Sequence, residues 1–356
     1  MDIFQNFYRG KRVLITGHTG FKGSWLAIWL HELGAEVIGF ALEPFSDRDN
    51  FVLSGIGKKI KADLRGDIRD GQSLKDVFQK YQPEIVFHLA AQSLVRLSYD
   101  IPVETYEVNV MGSIHVMEAI RVTDSVKVAV MITTDKCYEN REQLWGYREN
   151  EAMGGYDPYS SSKGAAEIAI ASWRRSFFNP DNYSKHGKSI ASVRAGNVIG
   201  GGDWALDRII PDCIKALEAD ASIDIRSPKA IRPWQHVLEP LSGYMQLAQK
   251  IWNEPTKYCE GWNFGPHAES IATVWDVASK VVAKYGSGEL RDLSNPNDLH
   301  EAKLLMLDIS KAKFQLGWEP RLNIHQTVEL TVDWYTRYKT EEVSKICLDH
   351  INKFVK

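Results

Sequence analysis

Lys11-Arg12-Val13-Leu14-Ile15-Thr16 runs straight into Gly17-His18-Thr19-Gly20-Phe21-Lys22-Gly23, and an apolar helical pattern follows from Ser24 to about Leu33. A short apolar, β-branched run ahead of a glycine cluster reads as a buried strand. Glycines at this Gly-x-x-Gly-x-x-Gly spacing permit a tight turn. They also let backbone N–H groups approach a pyrophosphate, which then rests on the positive end of the following helix. Strand, glycines and helix in that order predict that Gly17, His18, Thr19, Gly20, Phe21, Lys22 and Gly23 hold a dinucleotide.

Outward from this turn the strand and helix patterns alternate. Glu36-Val37-Ile38-Gly39-Phe40-Ala41 is the expected second strand. Its end is where an acid normally accepts hydrogen bonds from the adenosine ribose, and here it carries Ala41 and Leu42 with Glu43 nearby. NAD is the expected cofactor, and NADP stays open. After a third strand-like stretch, Gly66-Asp67-Ile68-Arg69-Asp70 offers Asp67 to an adenine amino group and Ile68 to its ring; a helix N-cap by Asp67 or Asp70 is the other reading. Glu84 to Gln92 reads as a core strand ending in the small stretch Leu89, Ala90 and Ala91, against which the middle of the cofactor can lie. His88 is read as a packed strand residue. Asn109, in a helix beginning near Pro102, is expected to hold the active-site helix or a water in place. Val128-Ala129-Val130-Met131-Ile132 then delivers Thr133, Thr134, Asp135 and Lys136 at a strand's carboxyl end, where ligands of open parallel sheets bind.

Tyr159-Ser160-Ser161-Ser162-Lys163 opens the next helical pattern. Residues four apart share one helical face. An ammonium beside a phenol favours the phenolate and lowers a pKa of about 10. Such a tyrosine can take a proton from a sugar or alcohol hydroxyl while a nicotinamide accepts the hydride.

Thr16-Gly17 with its glycine spacing, His88-Leu89-Ala90-Ala91, the Thr134 strand end and Tyr159-x-x-x-Lys163 together resemble the extended short-chain dehydrogenase/reductases that act on nucleotide sugars. The resemblance covers nearly the whole chain, including Asp308-Ile309-Ser310-Lys311-Ala312 and Leu316-Gly317-Trp318-Glu319-Pro320. It implies an α/β fold: a Rossmann-type doubly wound parallel sheet over residues 1–190, with segments at about 230–270 returning to it, and a smaller α/β substrate domain mainly over 191–356. Thr134-Asp135-Lys136 looks like the 4,6-dehydratase branch, in which an acid and a base follow the hydroxyl residue. Lys136 stands where dTDP- and GDP-linked members typically carry glutamate, and this departure resembles the branch whose substrate is a CDP-hexose.

By that resemblance Thr134, Asp135, Lys136, Tyr159 and Lys163 are catalytic, and Thr133, Tyr159, Lys163 and Asn109 also face the cofactor. Gln92, Ser93, Asn197, Arg208 and Arg232 face the substrate. Relatives carry a further phosphate-binding arginine where this chain has His300-Glu301-Ala302-Lys303, and Arg291 is the expected substitute. Helices around 102–121 and 159–178 are implied to build a homodimer, with a dimer of dimers as the next step. A nucleotide-sugar 4-epimerase or reductase, and a dehydratase for another nucleotide, are the rival enzymes. A nicotinamide-sensing binding protein is the rival of another class, although a sensor has no need for a tuned phenol.

Composition sets the outer bounds. A formal charge of -3 over 356 residues gives no basic field, so nucleic acid is not an expected partner. No apolar run approaches the roughly 18 residues of a membrane span, and Met1 to Arg12 lacks a signal-peptide core, so a cytoplasmic protein is expected. Cys137, Cys213, Cys259 and Cys347 stand far apart without a Cys-x-x-Cys pair. Neither a metal site nor a disulfide framework is expected.

Overall fold

A computed structural model describes residues 3–267, 270–295 and 304–356. The first half runs through β1 (Arg12–Thr16), α1 (Phe21–Glu32), β2 (Glu36–Ala41), α2 (Asn50–Ser54), β3 (Ala62–Arg65), α3 (Gly71–Tyr81), β4 (Ile85–His88), α4 (Val95–Asp100), α5 (Pro102–Tyr106), α6 (Gly112–Arg121), β5 (Val128–Ile132), α7 (Pro158–Ser176), α8 (Tyr183–His186) and β6 (Ser189–Ala195). The second half adds β7 (Val198–Ile199), α9 (Ile209–Glu218), β8 (Ile223–Ile225), β9 (Ile231–Arg232), β10 (Gln235–His236), α10 (Leu238–Asn253), β11 (Gly261–Phe264), β12 (Ala272–Thr273), α11 (Val274–Tyr285), β13 (Leu290–Asp292), α12 (Ile324–Arg337) and α13 (Val343–Val355).

Seven strands form one parallel sheet in the order β11-β6-β5-β4-β1-β2-β3. The order reverses between β1 and β4, so the connections leaving these two strands part there and open a crevice at their carboxyl ends. Successive residues of a strand face opposite sides of the sheet. Accordingly Val13 and Ile15 enter one apolar layer while Leu14 enters the other. Both faces are covered by helices, which is why the strands read as continuous apolar runs rather than alternating ones.

α1 is apolar all round, and Trp25, Leu26, Ala27, Ile28, Trp29 and Leu30 are all buried. The sheet covers one side, and α13 covers another together with α2. His350 of α13 stacks on Trp25 with ring centroids 6.0 Å apart, and the Cys347 thiol donates to Asn50 Oδ1 at 3.2 Å. The last helix therefore packs on the dinucleotide half of the chain, a departure from the expected assignment of residues 191–356. Three two-stranded pieces, β10 with β7, β12 with β9 and β13 with β8, lie outside the main sheet. They carry the loops that face the carboxyl ends of β5 and β6.

α5 continues through a π-helical segment, Glu107–Met111, into α6. Val103, Met111, Ile168 and Phe177 stand exposed along this helix and α7. All four cysteines are buried and unpaired. Among the described residues no helix is long and apolar enough to cross a membrane, and no His/Cys/Asp/Glu group could hold a metal ion.

Candidate active site

The first βα turn is shaped by what its glycines leave out. Gly17 has φ +78°, and a Cβ there would stand 2.7 Å from the backbone nitrogen of Ala90. A Cβ on Gly23 would stand 2.1 Å from the Gly17 carbonyl oxygen. Gly20, the N-cap of α1, faces only the Gly17 carbonyl at 3.4 Å, and no side chain caps the helix. The first N–H groups of α1 thus point into an open groove floored by backbone, a cradle that a pyrophosphate fits. Thr16 and His88 fix the floor. The Ala90 N–H donates to Thr16 Oγ1 at 3.3 Å, and the Thr16 hydroxyl meets His88 Nδ1 at 2.7 Å. His88 Nε2 lies 3.0 Å from Ser113 Oγ, whose own proton goes to the Asn109 carbonyl. His88 must therefore carry its proton on Nε2, and burial pushes its pKa down to about 3. It is a packed strand residue.

The groups expected at the adenosine end are engaged within the protein. His18 bonds Asp63 at 2.6 Å. Asp67 is paired with Arg69 at 2.6 Å, and Asp70 rather than Asp67 caps α3, accepting from the N–H groups of Gln72 and Ser73. Ile68 is buried in the apolar layer with Phe40 and Val116. Its side chain turns inward, against Gly112 of α6. Glu43 pairs with Arg65 at 2.8 Å.

Beyond the carboxyl ends of β5 and β6 lies a cavity of about 730 Å³. Phe21 and Lys22 enter it from the glycine turn, Thr133, Thr134, Asp135 and Lys136 from β5, and Tyr159 from α7. Asp157 caps α7 by accepting the Ser160 N–H at 2.9 Å, and Pro158 supplies the first helical residue. Proline fits there because that N–H has no helical acceptor. The Tyr159 N–H donates to Ser98 Oγ at 3.1 Å.

Thr134 is the hinge of the polar chemistry. Its hydroxyl donates to Asp135 Oδ1 at 3.0 Å and also bonds the Tyr159 phenol. It has one proton to give, so the two acids compete for it. Asp135 is 1% exposed, its Oδ2 has no hydrogen-bond partner among the described residues, and burial holds its carboxyl above the usual range against the pull of Lys136. Burial pushes Tyr159 up to about 12, opposed by the Thr134 hydroxyl and the Arg208 guanidinium. The expectation of a phenol lowered by Lys163 is corrected accordingly: burial outweighs the opposing groups, and the cation that pulls on the phenol is Arg208. Lys163 itself is brought down to about 8, by burial and then by the charge of Lys22.

Asn109 does hold the active-site helix. Its Nδ2 donates to Ser162 Oγ at 2.9 Å and to the Gln92 carbonyl at 3.0 Å, while its Oδ1 accepts the Gln92 N–H at 3.0 Å. Those bonds use both of its amide N–H groups and one of the two lone pairs of Oδ1. Gln92 is not among the residues lining the cavity. Its side chain folds back onto Leu94 and Thr105, and Ser93, Leu94 and Arg96 line the cavity in its place. At the mouth Arg208 pairs with Asp203 at 2.7 Å and donates to Ser93 Oγ at 3.1 Å. Asn197 and the buried Arg232 line the wall. Arg291 is not among the lining residues: its guanidinium pairs at 2.8 Å with Asp224 on the neighbouring strand, and Asp224 does line the cavity. Arg226, which no sequence pattern singled out, lines the cavity there. His300-Glu301-Ala302-Lys303 lies outside the described residues.

The doubly wound sheet, the glycine cradle and a tyrosine–lysine helix facing an acid at the end of β5 define a nucleotide-sugar enzyme of the extended short-chain dehydrogenase/reductase class. The chain belongs to the GDP-mannose 4,6 dehydratase family, whose sequence model matches residues 14–331. It is 52% identical to CDP-glucose 4,6-dehydratase of Salmonella typhimurium over 97% of this chain and 96% of that one. It is also 27% identical to CDP-paratose 2-epimerase of Salmonella typhi, over 91% of this chain and 98% of that one. Among solved structures it is similar to dTDP-glucose 4,6-dehydratase of Bacillus anthracis in complex with NAD, with a TM-score of 0.76 and 19% identity, covering 92% of this chain and 97% of that one. The epimerase Mth375 of Methanothermobacter thermautotrophicus gives a TM-score of 0.79 at 22% identity, covering 96% of both chains.

Proposed function

We propose that the protein converts CDP-D-glucose to CDP-4-keto-6-deoxy-D-glucose and water, with NAD as a recycled cofactor. The observation that carries this reading is the single cavity shared by the Tyr159 phenol, the buried Asp135 carboxyl and Lys136. Full-length similarity to a CDP-glucose 4,6-dehydratase supports the choice of nucleotide and reaction.

NAD, when bound in the cradle of Gly17, Gly20 and Gly23, supplies the acceptor for the C4 hydride and its return to C6. Tyr159 takes the proton of the 4-hydroxyl, with the Thr134 hydroxyl and the Arg208 charge stabilising the phenolate. The 4-ketone acidifies the C5 proton, which Lys136 takes as the neutral amine and gives back to C5 when the hydride is returned to C6. Asp135, kept protonated by burial, gives its proton to the departing 6-hydroxyl. Arg232 holds the diphosphate, a role suited to a guanidinium fork, with Asn197 and Arg208 beside it. Assembly is proposed as a homodimer through the helices carrying Val103, Met111 and Ile168, whose apolar side chains are exposed.

The test is incubation with NAD and a panel of CDP-, dTDP-, GDP- and UDP-hexoses, followed by the alkaline absorbance of a 4-keto sugar. CDP-D-glucose is expected to give the signal; a 4-epimer in its place, or signal from another nucleotide alone, rejects the reading.

A further inference from the structure

Behind the cavity, α7 carries a third group on the face of Tyr159 and Lys163. Glu167 stands four residues beyond Lys163 and is 3% exposed. Its Oε1 accepts the Thr133 hydroxyl proton. Its Oε2 accepts from Ser192 Oγ and from Arg194 Nη2, both at 2.8 Å. Arg194 in turn donates through Nη1 to the Tyr138 hydroxyl at 2.7 Å and to the Glu149 carbonyl at 2.9 Å. Tyr138 continues to Asn263 Oδ1 at 2.8 Å. One carboxylate thus joins α7 to the ends of β5 and β6, and through Arg194 to β11.

Such a pair is expensive to bury unless every lone pair is used, and the stability of the fold alone gives no reason to set it here. Its position gives one. Thr133 directly precedes the turn of Thr134, Asp135 and Lys136, and Lys163 lies one helical turn before Glu167. No carboxylate comes within ion-pair distance of Lys163 among the described residues, so Glu167 acts on it through space and supports its charge. The other ionisable groups facing Lys163 are Lys22 from the glycine turn, Cys137 from the turn after β5 and the neutral His88 from β4. Facing Glu167 are Arg194 from β6, Arg174 from α7 and Cys137.

We propose that Glu167 is a positioning residue for the reaction: through Thr133 it fixes the turn that carries Thr134, Asp135 and Lys136, and by its charge it holds Lys163 as the ammonium. The inference rests on the proposed reaction, to which the Lys163 ammonium, one helical turn beyond Tyr159, adds positive charge behind the site where the phenolate forms. Removing the carboxylate leaves Lys163 facing the charge of Lys22 without that support, so it loses its proton at lower pH.

The experiment compares Glu167→Gln with the wild type in CDP-D-glucose turnover across pH, after circular dichroism shows that the variant is folded. The high-pH limb of kcat is expected to move down by about one unit and kcat to fall about tenfold, with KM within twofold because Glu167 lies outside the cavity. An unmoved limb with kcat within twofold of wild type overturns the proposal. If Glu167→Gln does not fold, the double variant Glu167→Gln/Arg194→Met removes both buried charges; the same lowered limb supports the proposal and a wild-type limb overturns it. If neither folds, Thr133→Val carries the test: a tenfold loss of kcat at constant KM supports it, and unchanged kcat overturns it. If the wild type itself fails to turn over CDP-D-glucose, the proposed reaction is what fails. The titration of the Lys163 ammonium in wild type and variant, followed by nitrogen NMR, then decides the role of Glu167 separately.

Discussion

The two sides of the site are built by different means. On the catalytic side, the glycine turn, the β5 corner and the start of α7 each place groups from one short segment: Phe21 and Lys22, Thr133 to Lys136, Tyr159 and Ser160. On the substrate side, Ser93, Asn197, Arg208, Arg226 and Arg232 come from five separate places. The catalytic side is fixed by backbone geometry and tight neighbours, while the substrate side depends on long side chains whose partners are set only by the tertiary fold. Chemistry should therefore break sharply when the catalytic side is altered, and affinity should change in steps when the substrate side is.

Tyr159→Phe gives the largest effect. Removal of the phenol proton acceptor is expected to lower kcat by about 10³-fold with KM close to wild type, as measured by steady-state formation of the 4-keto product. Lys136→Met comes next. In a single turnover, nicotinamide reduction at 340 nm, a standard optical signature of the reduced ring, should persist, while C5 exchange and water loss fall by about 10²-fold. Normal water loss would remove Lys136 from the base role and make it a charge stabiliser.

On the substrate side, Arg232→Met is expected to raise KM for the sugar nucleotide about 10- to 100-fold, the loss of roughly 1.5–3 kcal/mol of charge-assisted hydrogen bonding, with kcat changed far less. Lys163→Met should remove activity yet stabilise the fold by about 1–3 kcal/mol, because a buried amine held near 8 disfavours the folded state while charged. The unfolded chain binds more protons than the folded one between about 8 and the ordinary 10.5. The gain is therefore full below pH 8 and shrinks as pH rises through that window. Thermal unfolding at pH 7 and pH 10 checks the sign. Arg291→Ala is the smallest, with KM within twofold, since Arg291 meets the cavity only through its partner Asp224.

The same contrast explains what the sequence disclosed. β2 spans Glu36–Ala41, the residues that the apolar run predicts, and the Gly17 turn and the Tyr159 helix follow from spacing alone. Gln92 and Asn109 were legible as polar residues near the site, but their hydrogen bonds to each other and to Ser162 depend on how α4 to α7 pack. Ile68 turns inward because Gly112 on α6 leaves room for it, a Cβ there standing 2.5 Å from its Cδ1. Arg226 had no signal, since one arginine in a polar loop looks like any other. Glu167 had one, the i, i+4, i+8 series with Tyr159 and Lys163. Its buried partner Arg194 sits 27 residues on, beyond the reach of any helical period. The fully apolar α1 announced a second covering layer without naming α13 as that layer.

The central claim is that one cavity oxidises C4, eliminates water across C5 and C6, and returns the same hydride to C6. CDP-D-glucose carrying deuterium at C4, incubated with the protein and unlabelled NAD, tests it directly. The account predicts a 4-keto-6-deoxy product with the deuterium on C6; deuterium kept at C4, in a hexose that has lost no water, would contradict it.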